Sequence, residues 1–199
     1  MQLLALTFAR IGDVCAMKWA DIDLNAKTWI FEPQKGKNRA DMVDSLIVPL
    51  APQTIAILEQ VHDITGGMEY VFYTGKRKNA PYADRQQINK ALNDPSMNKA
   101  KIGKDYCGRG YLEVHSPHGF RASAKTMLME RLGYSHLITE IQSGRSMPDA
   151  YGNTYNRMEA IKERVKMMNE WANYLDDIKA GKVDNILFVD FNKAKAINE

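Results

Sequence analysis

The chain has 199 residues, of which 45% are hydrophobic and 26% charged, a composition that fits a globular domain with its own core and excludes a disordered or fibrous protein. Its net charge is only +3, so affinity for nucleic acid would require cations gathered on one face. The two cysteines have no metal-ligand spacing, no apolar run reaches membrane-spanning length and no signal-peptide pattern is present, so we expect a cytoplasmic protein without membrane contact.

The N-terminal stretch, residues 3–19, predicts a helix, because its apolar residues recur at three- and four-residue steps. No capping residue precedes this helix, and we expect the chain to be part of a longer protein. Arg10 and Asp13 fall on one face of the predicted helix, where they form either a surface ion pair or part of a site.

Residues 28–31 and 45–50 predict a β-hairpin with a long basic tip, and residues 70–73 predict a third strand. A second basic cluster follows this strand. Basic clusters in turn-like sequence are either solvated or reach into a DNA groove. The cations in these two clusters are Lys35, Lys37, Arg39, Lys76, Arg77 and Lys78.

The rest of the chain predicts mainly helices. They cover residues 52–65, 84–92, 117–132, 137–143 and 158–178, with a long surface loop at 93–110 and a strand-like apolar segment at 184–191. The predicted fold class is therefore α+β, mainly helical, with a small antiparallel sheet.

His118 and Arg121 lie one turn apart at the start of a predicted helix, where backbone N–H groups and the helix dipole favour an anion. The alternative is a capping histidine and a surface arginine. Downstream, Tyr155 lies at a predicted helix junction, with Tyr151 as a nearby rival. Two arginines, a histidine and a tyrosine are suited to holding a phosphodiester while a phenolic oxygen attacks it.

These residues resemble those of the tyrosine recombinases, the integrases of phages and genomic islands, and the similarity runs from residue 3 to about residue 175. Three segments carry it: Ala9-Arg10-Ile11-Gly12-Asp13-Val14, His118-Gly119-Phe120-Arg121, and Thr154-Tyr155-Asn156-Arg157 leading into the helix with Trp171. The hairpin that ends in Val48-Pro49-Leu50 is similar to the one that bears the family's catalytic lysine.

The resemblance implies a tyrosine-recombinase catalytic-domain fold over residues 1–182, truncated at its N-terminus, and a tail, residues 183–199, that can be exchanged with a partner protomer. It implies Tyr155 as the nucleophile, Arg10 and Arg121 as the clamp on the phosphate, and Lys35 as the proton donor to the leaving oxygen, with Lys37 as the alternative. His118 would assist proton transfer. Asp13 would orient Arg10, and no metal or other cofactor is implied.

One position departs from the family's pattern. Ten residues before the nucleophile the family usually has histidine, sometimes tryptophan, and here Arg145 stands there. An arginine can donate to a phosphate oxygen as a histidine does, but it cannot shuttle protons.

The implied function is site-specific recombination of double-stranded DNA at attachment sites, with assembly of a tetramer on DNA, accessory DNA-bending or excision factors, and a place at the bacterial nucleoid. Three alternatives remain. The chain could be an inactive DNA-binding remnant of an integrase, an enzyme of the type IB topoisomerase kind that reseals its own strand, or a helical domain with scattered basic residues.

Overall fold

The computed structural model of the chain describes residues 1–33, 45–75, 80–93, 115–145 and 157–182. The strands are β1 (Ile22–Asp23), β2 (Thr28–Phe31) and β3 (Leu46–Pro49), and a short 3₁₀ turn, Trp19–Asp21, precedes them. The helices are α1 (Gln2–Thr7), α2 (Ile11–Cys15), α3 (Pro52–Thr65), α4 (Arg85–Asn93), α5 (Gly119–Glu130), α6 (His136–Gln142) and α7 (Arg157–Lys179). The predicted fold class, mainly helical with a small antiparallel sheet, is confirmed.

The sheet has the order β1-β2-β3, and both strand pairs are antiparallel. Strand alternation turns Trp29 and Phe31 into the core, where their rings stack 3.9 Å apart, and leaves Ile30 exposed opposite Ile47. The predicted hairpin is thus confirmed.

The prediction of a third strand at residues 70–73 is wrong, because β1 occupies that position in the sheet. Tyr70 and Tyr73 form only isolated bridges, to Lys18 and Tyr82. The segment is held elsewhere by its backbone, since the Val71 N–H donates to the Met17 carbonyl over 2.9 Å.

The prediction of one continuous helix over residues 3–19 is also wrong. Helix α1 ends at Thr7, Phe8 takes a left-handed conformation with φ of 37°, and Arg10 is extended as the N-cap of α2. In a continuous helix Leu4 and Phe8 would share one face. Here they enter two different cores, and the chain must turn between them.

The first of these cores, the sheet core, is built from β2, β3 and the helices α1 to α3; its buried residues include Leu4, Trp29 and Leu58. The second, the helical core, joins α5, α6 and α7 around Leu128, Ile138 and Trp171, and Phe8 packs edge-on against that tryptophan. Because Phe8 reaches the helical core, the chain between α1 and α2 is held beside α5.

The helices after the sheet match the predicted ones to within a turn at each end. Helix α5 begins at Gly119 rather than at Pro117, so that His118 becomes its N-cap residue. None of the described helices is long and apolar enough to span a bilayer. Two predicted segments, the loop after residue 93 and the strand-like stretch at residues 184–191, lie outside the described residues.

Candidate active site

Arg121 stands at the centre of the candidate site. Its Nη1 donates to the Phe8 carbonyl over 3.2 Å, and its Nη2 donates to the Ser143 carbonyl. Phe8 lies two residues before Arg10, and Ser143 lies two residues before Arg145. One guanidinium on α5 therefore ties together the two turns that carry the other arginines.

The charges of these residues interact. Burial, followed by the nearby positive charges of Arg10 and Arg145, lowers the pKa of Arg121 to about 10, and Asp13 acts in the opposite direction. A pKa in this range leaves Arg121 charged at neutral pH. Three arginines that sequence analysis selected separately thus lie close together in the folded chain.

Asp13 lies in the first turn of α2 and is only 5% exposed. Its carboxylate stabilises the charged form of Arg121, which offsets part of the cost of burying that guanidinium among like charges. Asp13 also lines a cavity of about 420 Å³ beside β2. The predicted role of Asp13 in orienting Arg10 stays a prediction.

The C-terminus of α6 determines where Arg145 lies. The Gly144 N–H donates to the Ile141 carbonyl over 2.9 Å, and the Arg145 N–H donates to the Glu140 carbonyl over 3.1 Å. This is the Schellman pattern of helix termination, and it requires a left-handed residue, here Gly144 with φ of 74°. The backbone therefore turns sharply after Ser143 and presents Arg145, whose side chain is 54% exposed.

His118 is exposed at the N-terminus of α5, one turn before Arg121. Its side chain does not cap the helix. Instead, the Gly119 N–H donates to the Ser116 carbonyl over 2.8 Å and to the Ser116 hydroxyl over 3.1 Å. The alternative of a surface arginine is thus wrong, because Arg121 is partly buried and anchored, while His118 occupies the N-cap position without a side-chain cap.

Two further histidines pack against aromatic rings. His115 packs its ring edge-on against Phe120 at 4.4 Å. His62 packs in the same way against Trp19 at 4.9 Å.

Two residues at the site were missed. Lys125 lies one turn after Arg121 on α5, and burial together with the charges of Arg145 and Arg121 lowers its pKa. Glu140 is a fully buried carboxylate on α6 that contacts both Lys125 and Arg145. Because Lys125 lies one turn after Arg121, its spacing could have identified it as a site residue. Nothing in the sequence near Glu140 predicts the burial of that carboxylate.

Several predicted site residues lie outside the described part of the chain, and their roles stay predictions. They are the tip residues Lys35, Lys37 and Arg39, the cluster Lys76, Arg77 and Lys78, the tyrosine Tyr155 and its rival Tyr151.

A cluster of arginines around a half-buried guanidinium, built next to a helix-and-hairpin core, is suited to a phosphodiester substrate. Residues 1–142 match the family model described as "Phage integrase family", and the chain belongs to that family.

The chain is similar over most of its length to three integrases. It is 26% identical to Prophage integrase IntA of Escherichia coli (strain K12), over 96% of this chain and 41% of that protein. It is 29% identical to Prophage integrase IntZ of the same organism, over 91% of this chain and 40% of that protein. It is 25% identical to the Integrase of Enterobacteria phage P4, over 100% of this chain and 44% of that protein.

The chain thus spans about two fifths of the length of these relatives. Among solved structures, that of XerA recombinase matches with a TM-score of 0.49 and 19% identity, over 82% of this chain and 54% of the other.

Proposed function

We propose that this chain is the catalytic domain of a site-specific recombinase, which cuts and rejoins DNA through a 3′-phosphotyrosine intermediate. The observation that supports this most directly is the junction at Arg121, which gathers Arg10 and Arg145 around one half-buried guanidinium. Membership of the phage integrase family supports the same reaction.

In the proposed reaction, the Tyr155 oxygen loses its proton and attacks phosphorus, and the bond to the 5′-oxygen breaks. Arg10 and Arg121 stabilise the charge of the pentacoordinate phosphorus, with Arg145 as a third donor. Lys35, or alternatively Lys37, gives a proton to the leaving 5′-oxygen. His118 assists with proton transfer. A 5′-hydroxyl from a second duplex then attacks the phosphotyrosine and releases the tyrosine.

The proposed substrate is double-stranded DNA carrying attachment sites, and the setting is the bacterial cytoplasm at the nucleoid. Assembly into a tetramer on DNA, with accessory bending or excision factors, belongs to the same proposal. The tail, residues 183–199, is assigned to exchange between protomers. Deleting it should leave the fold intact and reduce assembly on DNA; unfolding of the monomer would show that the tail completes the core of its own chain.

DNA binding by this chain should fall steeply with salt, because each phosphate neutralised by a cation releases counterions. The basic residues at 35–39 and 76–78 are the proposed backbone contacts. An affinity that did not change with salt would contradict this assignment.

The covalent step can be tested with a nicked DNA substrate that traps the intermediate. The full 199-residue chain should form an adduct that mass spectrometry locates on Tyr155. Tyr155→Phe and Arg121→Ala should abolish the adduct, and Tyr151→Phe is the matched control that should retain it. An adduct on another residue would refute the assignment of the nucleophile.

One observation favours a second candidate, a DNA-binding remnant without activity. Arg145 occupies the position where the family usually has histidine, and an arginine cannot shuttle protons. A remnant would bind DNA but leave the trapping substrate uncut. Transfer of the trapped strand to a second duplex would in turn distinguish a recombinase from a topoisomerase.

A further inference from the structure

Glu140 has contacts that the proposed reaction does not explain. It lies on α6, is 1% exposed, and is approached by the basic side chains of Lys125, His136 and Arg145. Lys125 Nζ contacts Oε1, His136 Nε2 lies 3.6 Å from the same oxygen, and Arg145 Nε lies 3.1 Å from Oε2. Burying a carboxylate costs several kcal/mol unless such partners compensate it, so its presence here calls for a reason.

Both the backbone and the side chain of Arg145 are held by this one residue. The Arg145 N–H donates to the Glu140 carbonyl over 3.1 Å, while the Glu140 carboxylate lies against the Arg145 Nε. An arginine side chain that is 54% exposed would otherwise sample many rotamers, and fixing it costs about 2 kcal/mol of entropy. The contact is an ion pair without hydrogen-bond geometry, since Oε2 has no hydrogen-bond partner in the described part of the chain, and the terminal nitrogens of the guanidinium keep the capacity to donate to an anion.

The electrostatics of the site permit a carboxylate in this position. A carboxylate beside a phosphate site would repel DNA if it were uncompensated. Lys125 is close enough to Arg121 and Arg145 for their charges to lower its pKa, and it pairs with Glu140. The site therefore keeps an excess of positive charge although it contains a buried acid.

We propose that Glu140 is the positioning residue that aims Arg145 at the phosphate held by Arg121. This inference rests on the proposed recombinase function and adds a role to it. It also accounts for the arginine at this position. A histidine is short and rigid, whereas an arginine is long and needs an anchor, which Glu140 provides.

The test is a double-mutant cycle with Glu140→Gln and Arg145→Ala in the full chain, measured as the rate of adduct formation on the trapping substrate. Glu140→Gln alone should slow the adduct by about 10- to 100-fold, because misplacing a charge-stabilising group costs this much. In the Arg145→Ala background, Glu140→Gln should have no additional effect. Losses that multiply would refute the inference.

DNA affinity separates positioning from general damage to the fold. Glu140→Gln removes one negative charge, so affinity should stay unchanged or rise while the rate falls. The matched control is His136→Gln, which changes the contact of an exposed ring with Glu140 and should leave the rate within about threefold. Affinity that fell together with the rate, or a His136→Gln loss as large as that of Glu140→Gln, would overturn the inference.

A substitution of Arg145, the exposed partner of Glu140, tests the proposal if Glu140→Gln does not fold. Arg145→Lys keeps the charge, but all its donors lie on one nitrogen, whereas the guanidinium can contact Glu140 through Nε and a phosphate through its terminal nitrogens. The rate should fall as for Glu140→Gln, and an unchanged rate would count against the proposal.

The Arg145 side-chain N–H resonance gives a readout that does not depend on activity. It can be assigned by its loss in Arg145→Lys, with exposed Arg131 as the reference. The order parameter of this N–H should be high in the wild type and in His136→Gln and low in Glu140→Gln; an order parameter that Glu140→Gln left unchanged would refute the positioning role. If the wild type forms no adduct, the proposed function fails, and this measurement still decides whether Glu140 holds Arg145.

Discussion

Arg164 and Gln142 join the longest helix to the site: the Nε of Arg164 donates to the Oε1 of Gln142 over 2.7 Å. Arg164 also donates to the Ile47 carbonyl on β3. It is 4% exposed, and burial lowers its pKa to about 10. Helix α7 follows the segment with Tyr155, and Gln142 lies three residues before Arg145. One buried guanidinium thus fixes α7, α6 and β3 relative to each other.

Replacing Arg164 with methionine should lower the free energy of unfolding by about 1–3 kcal/mol, because the Ile47 carbonyl and the Gln142 amide oxygen lose a charged donor. Urea denaturation would measure this, with exposed Lys166→Met as the matched control. A variant more stable than the wild type would show that burying the guanidinium costs more than its hydrogen bonds return.

Arg121→Lys should affect both stability and cleavage. One ammonium group cannot reproduce the two directed donations to Phe8 and Ser143. We expect a loss of about 1–2 kcal/mol in unfolding free energy and at least about a 100-fold slower formation of the covalent adduct.

The control for this change is Arg131→Lys at an exposed position just after α5, which should alter neither quantity. If Arg121→Lys formed the adduct at the wild-type rate, Arg121 would not have the central role in cleavage that is proposed for it.

The proton donor can be identified by changing the leaving group. Lys35→Ala should slow cleavage of ordinary DNA, while a substrate with sulfur in place of the 5′-bridging oxygen should be cleaved at close to the wild-type rate, because a thiolate leaves without a proton. Lys37→Ala should show no such rescue. Rescue confined to Lys37→Ala would transfer the role to that lysine.

Tyr134 should link stability to alkaline pH. Its hydroxyl donates to Glu170 Oε2 over 2.7 Å, and burial, followed by this hydrogen bond, raises the pKa of Tyr134. A raised pKa in the folded state contributes stability that is present below the unfolded value of about 10 and is lost as pH rises towards the folded value.

Tyr134→Phe should therefore be less stable than the wild type by about 1 kcal/mol at pH 8, and the gap should shrink above about pH 10. Denaturation curves at both pH values would measure it, with Tyr174→Phe as the control for removing a phenol hydroxyl. A stability difference between Tyr134→Phe and the wild type that widened at high pH would contradict the predicted pH dependence.

Local sequence patterns predicted most of the described fold. The alternation at 28–31 and 46–49 was sufficient for the hairpin, since one face of each strand is buried. The break at Phe8 could not be predicted, because apolar residues on both sides continue the helical spacing and the contacts that hold Phe8, with Trp171 and Arg121, are distant in sequence.

The candidate site was predicted where spacing along one helix carried the information, as for His118 and Arg121. Glu140 was missed because its place in the site depends on contacts between elements and not on spacing along one helix. In sequence it is one acidic residue in a short helix, and its burial depends on Lys125 from another helix and on the turn that presents Arg145.

The left-handed turn at Phe8 places Arg10 through a buried aromatic ring as well as through the Arg121 hydrogen bond, so apolar contacts share in setting the chain path at the site. Substitutions of reacting groups that touch neither this ring nor Arg121 would therefore leave the turn in place.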